Sequence, residues 1–503
     1  VTEWFQSIPA RATAPLPKWV GEIYLEYHRG TLTTQGRTKY LHRRAERALI
    51  GAEVLGAMVA LRGGTLPAPV TEAWQVLLRN EFHDILPGSS IREVYEVAEA
   101  ELAGVIEDGT MLQAKALTAL AEGMAGNIAG VVIVNPDLQP RPLRLTSAHP
   151  LPNGQAVAEG FVLSAPEAVA GLSVTARTSF AEAGPLTVST TGLENAFVKV
   201  SLLPDGTLSS VIDKRTGREC LAGRGNQIWA YVDKPRYFDA WDIEEDYTAS
   251  GCEIPADSIE VTETGPHRAA LRITRRFGAS TIVQHLRLWA NSPRVEFKTD
   301  LDWHDRRVLL KTRFPLAVQS DHALFECACG VISRPNHRNT PWDETKYEVA
   351  AHRFALMAER GFGVALLNDG KYGHHALGNE LGISLLRSPV FPDFLADEGE
   401  QSFTYALLPF AGDWLTGGVL AEAQDLNQPL FVQTAQVTDG AWQAIATDPA
   451  LAMFEAVVFS RTICAESARA PTSKTLFRSL MAYSPRMAVI RPLMRRFNRV
   501  RLA

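Results

Sequence analysis

The segment Asn80-Glu81-Phe82-His83-Asp84-Ile85-Leu86-Pro87-Gly88-Ser89-Ser90 holds the most specific chemistry in the chain. A neutral imidazole such as His83 is a good zinc ligand, and the carboxylate of Asp84 can orient a sugar hydroxyl. The spacing of Trp74, Leu78, Phe82 and Ile85 predicts a helix from near Thr71, stopped by Pro87-Gly88. That places His83 and Asp84 in its last turn, about 100° apart around the axis and able to reach beyond the helix end. A lone His-Asp pair is more often structural. Zinc needs three or four protein ligands, and no second ligand cluster stands nearby in sequence.

Three other constellations carry two readings each. Lys234-Pro235-Arg236-Tyr237-Phe238-Asp239-Ala240-Trp241-Asp242 combines aromatics with carboxylates. It reads either as a loop clamp or as a wall facing a sugar, whose flat face stacks on aromatic rings. Arg334-Pro335-Asn336-His337-Arg338-Asn339, with Trp342, allows the same two readings. His374-His375 has the look of a metal pair, but adjacent residues on a strand face opposite ways.

The elements that position these residues follow from periodicity. The first stretch, to about Lys18, is Pro-rich and predicts extended chain. Leu41, Ala45, Ala48, Ala52, Leu55 and Val59 form one helical stripe that Gly63-Gly64 and Pro67 end. Ser90 and Glu93 have the spacing of a capping box for a further helix. Three helices with short joins predict a three-helix bundle over 34–128. The texture changes near Gly130, where VVIVNP is a β-branched run ending in a turn signal. Val198, Val200 and Leu202 alternate with Lys199, Ser201 and Leu203, and Pro204-Asp205-Gly206 turns the chain into Thr207–Ile212. Many such strands predict antiparallel β-sandwich domains over 129–460, in two subdomains. The expected class is therefore α+β multidomain.

Bulk properties narrow the function classes. The chain has 503 residues, 46% hydrophobic and 21% charged, which suits several globular domains. No apolar run reaches the length of a membrane span. Net charge is −6, but from Arg461 onward there are ten Lys/Arg and one acidic residue, Glu466. The acidic remainder suits an uncharged substrate and gives no support for nucleic-acid binding. Cys220, Cys252, Cys327, Cys329 and Cys464 are sparse and odd in number, which favours a reducing, cytoplasmic setting over a disulfide framework. The start at Val1, without a signal-like pattern, is expected to be internal to a longer protein.

The segment NEFHDILPGSSIREVY resembles the signature that follows the catalytic barrel in family-38 glycoside hydrolases, the α-mannosidases, particularly their cytosolic and vacuolar branch. GEIYLEYHRGTLTTQGRTKYLHRRAE resembles the passage from that barrel into the helical bundle. Further resemblances in family order are LENAFVKVSLLPDGTLSSVIDKRTGRE, DKPRYFDAWDIEEDY, GVISRPNHRNTPWDETKYEVAAHRF, GFGVALLNDGKYGHHALGN, LLRSPVFPD and ADEGEQSFTYALLPFAGDW, so the likeness spans about Trp19 to Trp414.

The resemblance implies a galactose mutarotase-like C-terminal region, with 1–33 as an entry segment from a missing barrel. It implies retaining hydrolysis of terminal α-linked mannose from oligosaccharides, with zinc as cofactor, although such donors also suit cobalt or manganese. It implies that His83 is one of four metal ligands and that Asp84 lies by the bound sugar. His28 falls where other branches carry an aromatic that lines the sugar pocket. The remaining ligands, the nucleophile and the acid/base belong to the barrel, so no catalytic residue is assigned here, and this piece alone is expected to be inactive. A homo-oligomer is compatible with the family; no nucleic acid or membrane partner is expected. The alternative is a non-catalytic carbohydrate-binding module. The resemblance ends near Ala456, and 461–503 is expected to be an atypical basic tail.

Overall fold

The computed structural model describes residues 2–12, 14–16, 18–65 and 69–444. The expected basic tail, Cys464 and Pro67 lie outside them. The chain starts with helix α1 (Thr2–Arg11), where extended chain was expected. The prolines that suggested extension at positions 15 and 17 follow this helix, and Pro9 sits inside it near its end.

Three longer helices follow: α2 (Gly36–Leu61), α3 (Thr71–Arg79) and α4 (Arg92–Glu122). The stripe read from α2 is correct, since Ala45, Ala48, Ala52 and Leu55 are buried, joined by Leu49 and Met58. Small residues let α2 and α4 approach closely. A β-carbon added to Gly109 of α4 would lie 2.8 Å from that of Ala48 and 2.9 Å from the Ala48 carbonyl carbon. The stripe read for α3 is not the buried one. Leu77 is buried, while Leu78 and Phe82 are exposed. The helix stops at Arg79 because Asn80, itself buried, turns its amide onto the Val76 carbonyl and Glu101 of α4. The Ser90–Glu93 capping box does not form. Ile91 is the N-cap of α4 and makes no side-chain cap, while the Ser90 N–H donates to the Tyr95 hydroxyl.

Strands dominate from Ala125 onward, and every paired strand is antiparallel. Ala125–Asn135 lies between Phe431–Val437 and Ser173–Arg177 in a four-stranded sheet, with Gly440–Gln443 beyond. Its apolar run is buried on both faces. Val132 and Val134 pack under Leu55 and Met58 of α2 and Leu117 and Leu120 of α4. Val131 and Ile133 pack on Leu143, Leu145 and Leu163 of a three-stranded sheet. Five-, six- and nine-stranded sheets share a second, larger core, where Val200, Leu310, Phe297 and Tyr405 meet. The fold is thus α+β, with helices ahead of stacked antiparallel sheets.

The hairpin read at Pro204-Asp205-Gly206 joins Val198–Leu202 to Leu208–Asp213. Gly206 has φ +78, and Asp205 Oδ1 accepts from the Thr207 N–H at 2.9 Å.

Two short helices follow among the described residues, α5 (Pro341–Glu344) and α6 (Val419–Asn427). A buried ionic cluster fastens α6 to the sheets. Arg144 pairs with Glu422 at 2.7 Å and Asp425 at 2.8 Å, Arg141 pairs with Asp425 at 3.1 Å, and Arg294 pairs with Glu422 at 2.9 Å and Asp425 at 3.0 Å.

Candidate functional site

His83 and Asp84 do not end a helix. They sit in a run of turns over 80–88 that leads from α3 towards α4. The His83 side chain is 77% exposed and rests on the Phe82 ring, 4.1 Å between centroids. Its Nε2 lies 3.4 Å from Asp84 Oδ2. The ring faces solvent and is not walled into a core.

The backbone beneath it is held firmly. Tyr95 donates its hydroxyl to the Asp84 carbonyl at 3.1 Å, and Ser89 donates to Asp84 Oδ1 at 2.8 Å. His42 Nε2 lies 3.1 Å from Glu81 Oε1. Lys39 donates to the carbonyls of Leu86 at 2.7 Å and Thr34 at 2.5 Å. Burial holds the Lys39 ammonium down to about 7. Gly88 has φ +95, and a β-carbon there would meet the Thr34 carbonyl oxygen at 2.5 Å, so the turn needs glycine twice over.

His28 is exposed, with Nδ1 3.2 Å from the Glu26 carbonyl. It begins a segment, 28–36, that joins the other candidate loops. The Gly30 N–H donates to the Trp241 carbonyl at 2.7 Å, and Arg29 pairs with Asp242 at 3.2 Å. Arg387, fully buried, donates to Thr34 Oγ1 at 3.0 Å and to the Asp242 carbonyl at 2.5 Å, with its Nε 2.6 Å from Asp233 Oδ2. The Asp397 carboxylate accepts from the N–H groups of Gln35 at 2.8 Å and Gly36 at 2.7 Å, which caps the positive end of α2. Asp393 accepts from Gln35 Nε2 at 2.7 Å. The segment bearing His28 therefore touches both the His83-Asp84 turn and the 237–242 loop.

In that loop the carboxylates form a clamp. Asp242 is spent on Arg29, and Asp239 accepts from the Val390 N–H at 3.0 Å. Tyr237 and Phe238 stay exposed, and Phe238 meets Tyr27 at 6.2 Å. Tyr27 (φ 61) and Phe238 (φ 59) both adopt the left-handed backbone, a strained choice for aromatics. In the 334–339 loop, Arg334 pairs with Glu22 at 2.7 Å and Trp342 meets Trp19 at 5.7 Å. His374 and His375 serve different partners, Asn368 and Glu380.

Sequence reading missed Lys39, Tyr95, Arg387, Asp393 and Asp397 as positioning residues. Their partners lie on distant elements, so no local pattern in the sequence signals them. Among the described residues, no three His, Cys, Asp or Glu side chains converge as a metal site. A zinc ion would need three or four such donors, and the exposed His83 imidazole could supply one of them.

An alpha-mannosidase structure from Enterococcus faecalis V583 superposes with a TM-score of 0.72 at 16% identity, covering 88% of this chain and 63% of that one. Residues 26–120 match the alpha mannosidase middle domain, and residues 193–395 match the glycosyl hydrolases family 38 C-terminal domain. The chain belongs to glycosyl hydrolase family 38, in its middle and C-terminal regions. Alpha-mannosidase 2C1 of Homo sapiens is 35% identical over 457 residues, which are 87% of this chain and 43% of that protein. An alpha-mannosidase of Saccharomyces cerevisiae is 30% identical over 447 residues, 82% of this chain and 38% of that protein. The chain thus spans less than half the length of these relatives. No described helix is long and apolar enough to cross a membrane.

Proposed function

We propose that the protein to which these residues belong is a retaining α-mannosidase that releases terminal α-linked mannose from oligosaccharides. The naming of its relatives as alpha-mannosidases supports this reading. The observation that carries it is the His83 ring, solvent-facing on a turn whose backbone is held by Tyr95, Ser89, Lys39 and His42. Within this reading the chain divides into 1–33 leading in, 34–128 helical and a third region over 129–460, built of sheets as far as residue 444, with 445–460 outside the described residues. The protein acts in the cytoplasm, where a homo-oligomer is compatible with the family.

His83 is one ligand of a zinc ion completed by residues beyond these, and cobalt suits the same donors. Such an ion, when bound, polarises sugar hydroxyls as a Lewis acid. Asp84, whose Oδ1 is fixed by Ser89, orients a hydroxyl of the same sugar, and His28 borders the sugar from the neighbouring segment. The two carboxyl groups of a retaining glycosidase, about 5 Å apart, are not assigned to residues of this chain.

The test is metal analysis and aryl α-mannoside hydrolysis by the full-length protein. We expect His83→Ala to lose most bound zinc and most activity, and Asp84→Asn to keep zinc while losing activity. A His83→Ala protein with full zinc and full turnover would overturn the assignment.

A further inference from the structure

The six-stranded sheet has one face in the large core and another that is not apolar. Ile228, Leu310, Phe314 and Ile383 point into the core. By the two-residue period of a strand, Trp229, Tyr231, Arg313 and His375 point the other way, with Glu380 beside them. Two loops arch over this second face: the short helical turn Glu245–Ser250, which brings Tyr247, and the 337–347 stretch, which brings His337, Asp343 and Tyr347. Between sheet and loops lies a cavity of about 230 Å³. That is smaller than the roughly 300–1,000 Å³ of clefts for drug-sized ligands, and it suits a single sugar ring.

The cavity's sheet wall is preorganised. Arg313 donates to both Glu380 oxygens at 2.8 and 2.7 Å, and His375 Nε2 lies 3.1 Å from the same carboxylate. Burial pushes Glu380 up, but the hydrogen bonds from His375 and Arg313 outweigh it and hold the carboxylate at about 2. The Arg313 guanidinium stands 5.2 Å over Trp229, which stacks beside Tyr231 at 5.9 Å and 15°.

The loop wall is unfinished by comparison. The side chains of Arg338 and Lys346 have no hydrogen bond or ion pair among the described residues. His337 Nδ1 is buried without a hydrogen bond, 3.8 Å from Asp343 Oδ2. A buried, unpartnered His337 Nδ1 beside a preformed aromatic-lined cavity is what a ligand hydroxyl would complete.

We propose that this cavity binds one neutral pyranose ring of a glycan. A hydroxyl both donates and accepts, which matches a lining of cations, imidazoles and carboxylates together. The ring's apolar face matches the aromatic wall. A nucleotide exceeds the volume, and an anion would leave the aromatic wall of Trp229 and Tyr231 without a match. The 334–339 motif and the second His of His374-His375 thereby gain a shared place. This site does not rest on the mannosidase reading, since a chain that hydrolyses nothing would still bind.

The test is calorimetry and ligand-observed NMR on this chain, with D-mannose, D-galactose, N-acetylglucosamine and inorganic phosphate as separate probes, each with and without a chelator. Leu377, exposed at the cavity mouth, allows Leu377→Trp to fill the space without touching a core, and Arg338→Ala removes an exposed cation; circular dichroism confirms that both fold. At least one sugar should bind at millimolar concentration whether or not chelator is present, and either variant should weaken it by about tenfold or more. Absence of sugar binding, binding of phosphate alone, or sugar binding that Leu377→Trp leaves unchanged would overturn the proposal.

Discussion

Lys39, in the first turn of α2, donates to the carbonyl oxygen of Leu86 at 2.7 Å and so ties the bundle's main helix to the turn that carries His83. The lysine is buried, and burial lowers it to about 7, below its ordinary 10.5. Lys39→Met would leave the Leu86 and Thr34 carbonyls unpaired, at about 1–3 kcal/mol. The folded protein sheds this proton near pH 7 while the unfolded chain keeps it to about 10.5, so the lysine's contribution rises as pH climbs through that window. Urea unfolding at pH 6 and pH 9 should therefore show a larger loss for Lys39→Met at pH 9. Equal losses would contradict this account.

Asp425 pairs with three arginines, Arg141, Arg144 and Arg294, and shares the last two with Glu422. Burial pushes its carboxyl up, yet the arginines overcome this and hold it at about 2. A lowered carboxylate contributes stability above its unfolded value of 3.8, and that contribution fades as pH falls towards 2. Asp425→Asn removes one member of a buried ionic cluster, which costs about 3–5 kcal/mol at pH 7. Thermal melts should show that cost shrinking between pH 4 and pH 2. A variant as stable as the parent at pH 7 would show the cluster to be dispensable.

Gly109 of α4 packs directly against Ala48 of α2. Gly109→Val forces the helices apart, and overpacking of this kind costs about 1–3 kcal/mol or more. Denaturant midpoints should fall for Gly109→Val. At Gly104 of the same helix nothing lies within 4 Å of an added β-carbon, so Gly104→Ala should be neutral or slightly stabilising. Similar effects at both positions would argue against close packing as the cause.

Patterns that depend on neighbours in sequence were legible before the structure. The Val198–Asp213 hairpin declared itself through alternation and an Asp-Gly turn, and the stripe from Ala45 to Leu55 through helical spacing. Features settled by distant partners were not. Asn80 ends α3 early because Glu101 waits on α4, and Tyr95 takes the Ser90 N–H that a capping box would have given to Glu93. The role proposed for His83 came from resemblance, since spacing alone placed it on a helix that ends at Arg79. Its outward direction follows from contacts to Lys39 and Tyr95 that no local pattern encodes.

The carboxylate that caps α2 comes from Asp397, 362 positions after Gln35. During synthesis most of α2 can coil soon after it emerges, because its stripe and its partner α4 are close in sequence. Its first turn cannot, since the group that neutralises its exposed amides has yet to be made. The ribosome must finish most of the sheets before this junction at the start of α2 locks.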